Sequence, residues 1–114
     1  MNAHLQDIMA KATMRVLFVH RLSDLRAINH GWCFHWADLI MEQVPGAKER
    51  WSDSMPDSPE DVFDHCFIEL NGRFYDSEAT NGVTDWKLLP SILGHSYGRT
   101  SDCCLINFRH RRYS

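Results

Sequence analysis

At 114 residues, with 44% apolar residues and a net charge of −3, the chain suits one small domain with a packed core, residues 1–114. With 24% charged residues and near balance between the signs, a disordered polyelectrolyte is excluded and a nucleic-acid binder is disfavoured. No apolar run reaches the roughly 18–20 residues of a membrane span, and "MNAHLQDIMAKATMRV" lacks the basic start, apolar middle and small-residue cleavage site of a signal peptide. The expected compartment is therefore the cytoplasm, with no membrane partner.

In chain order, Leu5, Ile8, Met9, Ala12, Val16 and Val19 recur at helical spacing and predict a long amphipathic N-terminal helix. "MRVLFVH" also fits a strand, so the C-terminal limit of this helix stays open. "RLSDLRAINHG" continues partly helical and breaks at Gly31. Residues 32–44 give the clearest helix, with Cys33, Trp36, Ala37, Ile40, Met41 and Val44 on one face and Pro45-Gly46 ending it. Residues 47–61 are polar and proline-rich and read as a long loop, of the kind that forms lids and binding loops as well as plain connectors. Within it "SPED" predicts a short helical turn: Ser58 caps, Pro59 follows, and two acids occupy the first turn.

"HCFIEL" reads as a strand, with Cys66, Ile68 and Leu70 on one side and His65, Phe67 and Glu69 on the other. Asn71-Gly72 predicts a two-residue hairpin into the partner strand "RFYD". A second turn is expected at Asn81-Gly82, a short apolar helix or turn near Trp86 to Leu93, and a final strand over residues 103–108. The fold class is α+β: N-terminal helices packed on a small, mainly antiparallel sheet. The basic tail "FRHRRYS" reads as solvated surface.

Cys33 falls in the first turn of the predicted helix after Gly31, where the peptide dipoles favour a thiolate. In the Asn-Gly register Leu70 pairs with Arg73. Asp76 then faces Phe67, placing it diagonally from His65 on one face of the sheet. A helix packed on that face would complete a Cys–His–Asp triad: Cys33 as nucleophile, His65 as general base and acid, Asp76 as orienter. Each residue also has a plainer reading. Cys33 serves as a small buried apolar residue, His65 as a donor to a backbone carbonyl, Asp76 as a turn acid. Cys66 reads as core. Trp36 and Phe67 are candidates for the substrate cleft, although both also suit packing.

The four cysteines include an adjacent pair, Cys103 and Cys104, and form no C-x-x-C, so neither a zinc ribbon nor a thioredoxin motif is present. The group His30, Cys33 and His35, even joined by His65 and Cys66, matches no common zinc pattern. On a helix Cys33 and His35 point about 200° apart. Neither a metal nor another cofactor is expected.

The order of these residues resembles that of papain-like and transglutaminase-like cysteine proteins. "GWCFHWADLI" is similar to their Gly-x-Cys-x-x-x-Ala helix through Gly31, Cys33 and Ala37. "HCFIELNGRFYDSE" is similar to their His-x-Trp-x-Glu strand and the Asp-bearing strand after it, through His65, Glu69 and Asp76, with Phe67 in place of Trp. The likeness covers residues 31–78. Ala27 stands where papain-type enzymes carry a glutamine six residues before the nucleophile. The resemblance implies a cysteine-dependent peptidase, amidase, deamidase or acyl transferase working through a thioester, on a protein or peptide substrate. Its oxyanion hole would use the Cys33 N–H and a donor from Asn29, His30 or Trp32. The acidic connection through to Asp64 would border the cleft. The alternative is a non-catalytic binding or inhibitory protein on the same fold, with a vestigial triad and a protein partner. For that alternative, a chain this small suits encoding by a phage or mobile element and action on a host protein.

Overall fold

In a computed structural model, residues 3–58 and 64–95 are described. The first helix, α1 (Ala3–His20), follows the predicted stripe: Leu5, Ile8, Met9, Ala12 and Val16 are buried. "MRVLFVH" is helical because Val16 stays in phase with that stripe. Val19, expected on it, is exposed. The helix ends in a Schellman arrangement, with Arg21 N–H donating to the Phe18 carbonyl (3.3 Å) and Leu22 N–H to that of Leu17 (2.9 Å). Arg21 carries the positive φ, 56°, that this ending requires.

Asp24 caps a one-turn helix, α2 (Leu25–Ala27), by accepting from the Ala27 N–H at 3.1 Å. The chain then widens into a π-helical turn over Ile28–Trp32. His30 (φ −107°, ψ 29°) and Gly31 (φ 157°, ψ −18°) leave the helical path there, and regular helix restarts at Cys33. This break makes Cys33 the first residue of α3 (Cys33–Gln43). Cys33, Trp36, Ala37 and Ile40 are buried, as their spacing predicts, whereas Met41 is exposed and Val44 half-buried. The helix stops before Pro45-Gly46, and Gly46 takes φ 89°.

The reading of residues 47–61 as loop needs correction. β1 (Lys48–Trp51) pairs antiparallel with β2 (Cys66–Leu70), matching Lys48 with Glu69 and Trp51 with Cys66. "KERW" hides its strand because it lies at the sheet edge, where charged residues are favoured and only Trp51 is buried. A 3-10 turn, Ser52–Ser54, follows. The hairpin from β2 to β3 (Arg73–Tyr75) has the expected register, Leu70 to Arg73 and Ile68 to Tyr75. Asn71 (φ 53°) and Gly72 (φ 80°) supply the two positive φ values of a type I′ turn. The second predicted turn, at Asn81-Gly82, brings Val83 back to bridge Phe74. After it come a 3-10 turn, Trp86–Leu88, and α4 (Pro90–His95).

The architecture is thus α+β, with helices on a three-stranded antiparallel sheet in the order β1-β2-β3. β2 is central and is covered on both faces. Cys66, Ile68 and Leu70 join α1 and α3 in the larger core. Phe67 joins Trp86, Leu89 and Ile92 in a second one, where its ring stacks on Trp86 at 5.9 Å. Among the described residues no helix is long and apolar enough to cross a membrane. Residues 59–61 of the "SPED" turn, the strand over residues 103–108, Cys103, Cys104 and the basic tail lie outside the described residues.

Candidate active site

His65 is the residue immediately before β2, and its backbone is held on both sides by Ser52. The Ser52 Oγ accepts the His65 N–H at 2.8 Å, and the Ser52 N–H donates to the His65 carbonyl at 2.9 Å. The unforeseen strand β1 therefore has a local purpose: it delivers Ser52 to clamp the histidine. His65 is fully buried.

Asp76 leaves the end of β3 and reaches the same point diagonally, as the hairpin register requires. Its Oδ2 lies 2.9 Å from His65 Nε2. Its Oδ1 accepts the Glu78 N–H at 2.9 Å, a local turn that fixes the carboxylate plane. Asp76 is 1% exposed. A buried carboxylate is tolerated when donors surround it, and here they come from an imidazole, a backbone amide and a serine.

That serine is Ser91, on α4, a residue outside the expected triad. Its Oγ stands 3.0 Å from His65 Nε2 and 3.3 Å from Asp76 Oδ2, and it too is buried. No motif marks it. The only sequence signal was its place beside Pro90, at the start of a short apolar helix.

Cys33 approaches from α3. Its Sγ accepts the N–H of Cys66, the residue after His65, at 3.4 Å. The thiol therefore sits at the head of β2, next to the histidine's backbone, and is 1% exposed. Cys66 itself is core, its Sγ donating to Glu49 Oε2 at 3.3 Å.

Asn29, Trp32 and His30 all lie on the turn that leads into Cys33. Asn29 is buried, and its Nδ2 donates to Glu78 Oε1 at 2.8 Å. The segment before Cys33 is thereby tied to the segment after Asp76. The Trp32 indole stacks on His20 at 3.6 Å, nearly parallel. His30 is half-buried.

Trp36 and Phe67 take core positions. Trp36 is buried between α1 and α3 and donates to Thr13 Oγ1 at 3.0 Å. Phe67 is enclosed by Trp86 and Phe74. Burial on this scale removes both from any open cleft.

His35 does not turn toward Cys33. Its Nδ1 is 2.9 Å from His20 Nε2, joining α1 to α3. Burial lowers the pKa of both rings, and His35 is lowered further by His20 and Arg15, against a smaller opposing effect of Glu42. Among the described residues no group of three or more His, Cys, Asp or Glu is placed to hold a metal ion.

A surface cavity of about 470 Å³ is lined by Arg50, Trp51, Met55, Glu69 and Phe74 among others, and none of Cys33, His65 and Asp76 lines it. Its lining includes the Arg50–Glu69 ion pair, 2.8 Å long. Asp57 accepts from Trp86 Nε1 at 2.9 Å and from Lys87 Nζ. The Lys87 and Trp86 bonds hold the Asp57 carboxyl below the usual carboxylate range.

No protein-family model, curated protein or solved structure matches the chain.

Proposed function

We propose that the protein is a cysteine-dependent amide or thioester hydrolase, or acyl transferase, on a papain-like or transglutaminase-like core. The observation that carries this reading is the 2.9 Å bond between buried His65 and Asp76, formed at the end of β2 where the Cys33 sulfur accepts a backbone N–H. Asp76 accepts from Nε2–H, so the lone pair of the neutral imidazole is on Nδ1. Nδ1 removes the Cys33 thiol proton, and the thiolate attacks the substrate carbonyl carbon. The negative charge that develops on oxygen is met by the Cys33 N–H at the head of α3 and by a second donor from the turn before it, among Asn29, His30 and Trp32. When the tetrahedral intermediate collapses, His65 returns the proton to the leaving amine or thiol and a thioester on Cys33 remains. Water or an amine then attacks that thioester with His65 taking its proton, the C–S bond breaks to release the acid or new amide, and His65 returns the proton to the Cys33 sulfur.

The enclosure of Cys33, 1% exposed, favours a second reading, a non-catalytic binding or inhibitory protein with a vestigial triad. One experiment separates the two. Alkylation of Cys33 is followed from pH 5 to 9 in the wild type and in His65→Ala, with peptide mass spectrometry because four thiols compete. The catalytic reading expects wild-type Cys33 to react below pH 7 at least about tenfold faster than in His65→Ala, as for a thiolate paired with an imidazolium. Cys33 that is inert in both proteins until they are denatured would remove the enzyme and leave the binding protein.

A further inference from the structure

Ser91 belongs to no expected motif, yet it touches both His65 and Asp76. We infer that Ser91 is a positioning residue that locks the His65 imidazole in its Nε2–H form. Its consequence for catalysis rests on the acyl-transfer reading, while the tautomer argument rests on geometry alone.

Three atoms form a closed triangle: Nε2 to Oδ2 at 2.9 Å, Oγ to Nε2 at 3.0 Å, Oγ to Oδ2 at 3.3 Å. An ionised carboxylate only accepts, so the donors are limited to the serine O–H and, in one tautomer, Nε2–H. With a proton on Nε2, that N–H is shared between Oδ2 and the serine Oγ, and the serine O–H donates to Oδ2. Every edge then has a proton. With Nε2 bare, the single serine proton serves Nε2 or Oδ2 but not both, and two lone pairs face each other across 2.9 Å. All three side chains are buried, which makes that second arrangement costly. Asp76 alone would favour the Nε2–H form. Ser91 strengthens it from both sides, giving Asp76 Oδ2 a second donor and the Nε2–H a second acceptor. Ser91 arrives on α4, an element separate in sequence from the hairpin that carries the pair, so it limits rotation of the ring in a way the hairpin does not.

The test is long-range proton–nitrogen NMR of the His65 ring at neutral pH, with the signals assigned by loss in His65→Gln, read beside Cys33 alkylation at pH 6. In the wild type a single Nε2–H form is expected, with a slowly exchanging ring proton. In Ser91→Ala that proton should exchange at least about tenfold faster, with Nδ1–H signal appearing. Alkylation should fall about two- to tenfold, the equivalent of one net hydrogen bond. Ser91→Thr, which keeps the hydroxyl, should restore both. Ser91→Cys, near in size with a weak donor, serves if the alanine variant does not fold and should show the same faster exchange. A folded Ser91→Ala or Ser91→Cys protein whose ring form and exchange rate equal the wild type overturns the inference. If instead the ring responds while wild-type Cys33 alkylates like an ordinary thiol, the inference stands and the acyl-transfer reading falls.

Discussion

Gly72 and Gly82 show how far one residue's surroundings decide what it can become. Both take positive φ, 80° and 83°, a region that disfavours any residue with a Cβ. A Cβ on Gly72 meets nothing within 4 Å, whereas one on Gly82 would lie 2.7 Å from Tyr75 Cε2. Gly72→Ala therefore carries only the backbone penalty, about 1 kcal/mol. Gly82→Ala adds displacement of the buried Tyr75 ring, for a total of about 2–4 kcal/mol. Urea unfolding of the two variants checks this, and equal midpoints would mean that Tyr75 yields without cost. At the same scale, Cys33, His65 and Asp76 were legible in the sequence because each follows a local rule: a helix restart after Gly31, a strand entry, and a fixed two-residue hairpin register. Ser91 and Ser52 follow no such rule. Each acts through a contact made only after distant segments pack, Ser52 thirteen positions from His65 and Ser91 twenty-six.

Elements were legible where one face is apolar and obscure where it is not. α1, α3 and β2 carry continuous apolar faces and appear as expected. β1 was missed because three of its four residues, Lys48, Glu49 and Arg50, are charged and not buried, and its existence depends on pairing with β2. The junction of α1 and α3 was equally hidden. It is closed by His20, in the last turn of α1, bonding to His35 on α3 while stacking on Trp32. Both rings titrate below the ordinary histidine value of about 6.5. The unfolded chain therefore takes up protons first as pH falls. Stability is complete above about pH 7, declines as pH drops through the ordinary value, and stops declining from this source once the folded rings are also charged. Two charged rings at this separation would also repel, which opposes the Arg15 side of the junction further and is only partly relieved by Glu42. Melting temperatures measured from pH 7.5 to 5 should fall in the wild type and fall less in His35→Gln, which cannot charge. An unchanged slope in the variant would place the acid sensitivity elsewhere, for example at carboxylates such as Asp57, whose own loss belongs at lower pH because its pKa is depressed.

For the whole molecule, the sheet separates two cores that contribute different parts of the site. The larger core holds α3 and so places Cys33, while the smaller one, Phe67 with Trp86, Leu89 and Ile92, holds α4 and so places Ser91. His65 and Asp76 lie where the two meet, at one end of the central strand. This division predicts that equal losses of stability will have unequal effects on the thiol. Leu89 is fully buried and directly precedes α4, and Leu5 is buried in the larger core on α1. Truncation of either to alanine should cost about 2–5 kcal/mol by urea unfolding. Leu89→Ala leaves a cavity under α4, and relaxation into that cavity shifts Ser91 away from Nε2 and Oδ2. Leu5→Ala leaves its cavity on the far side of the sheet from α4. At low temperature, with both variants folded, Cys33 alkylation at pH 6 should fall at least about threefold further in Leu89→Ala than in Leu5→Ala, the magnitude of a weakened hydrogen bond. Equal rates at matched stability would mean that α4 moves with the whole fold, so that the smaller core supports the site only by keeping the protein folded.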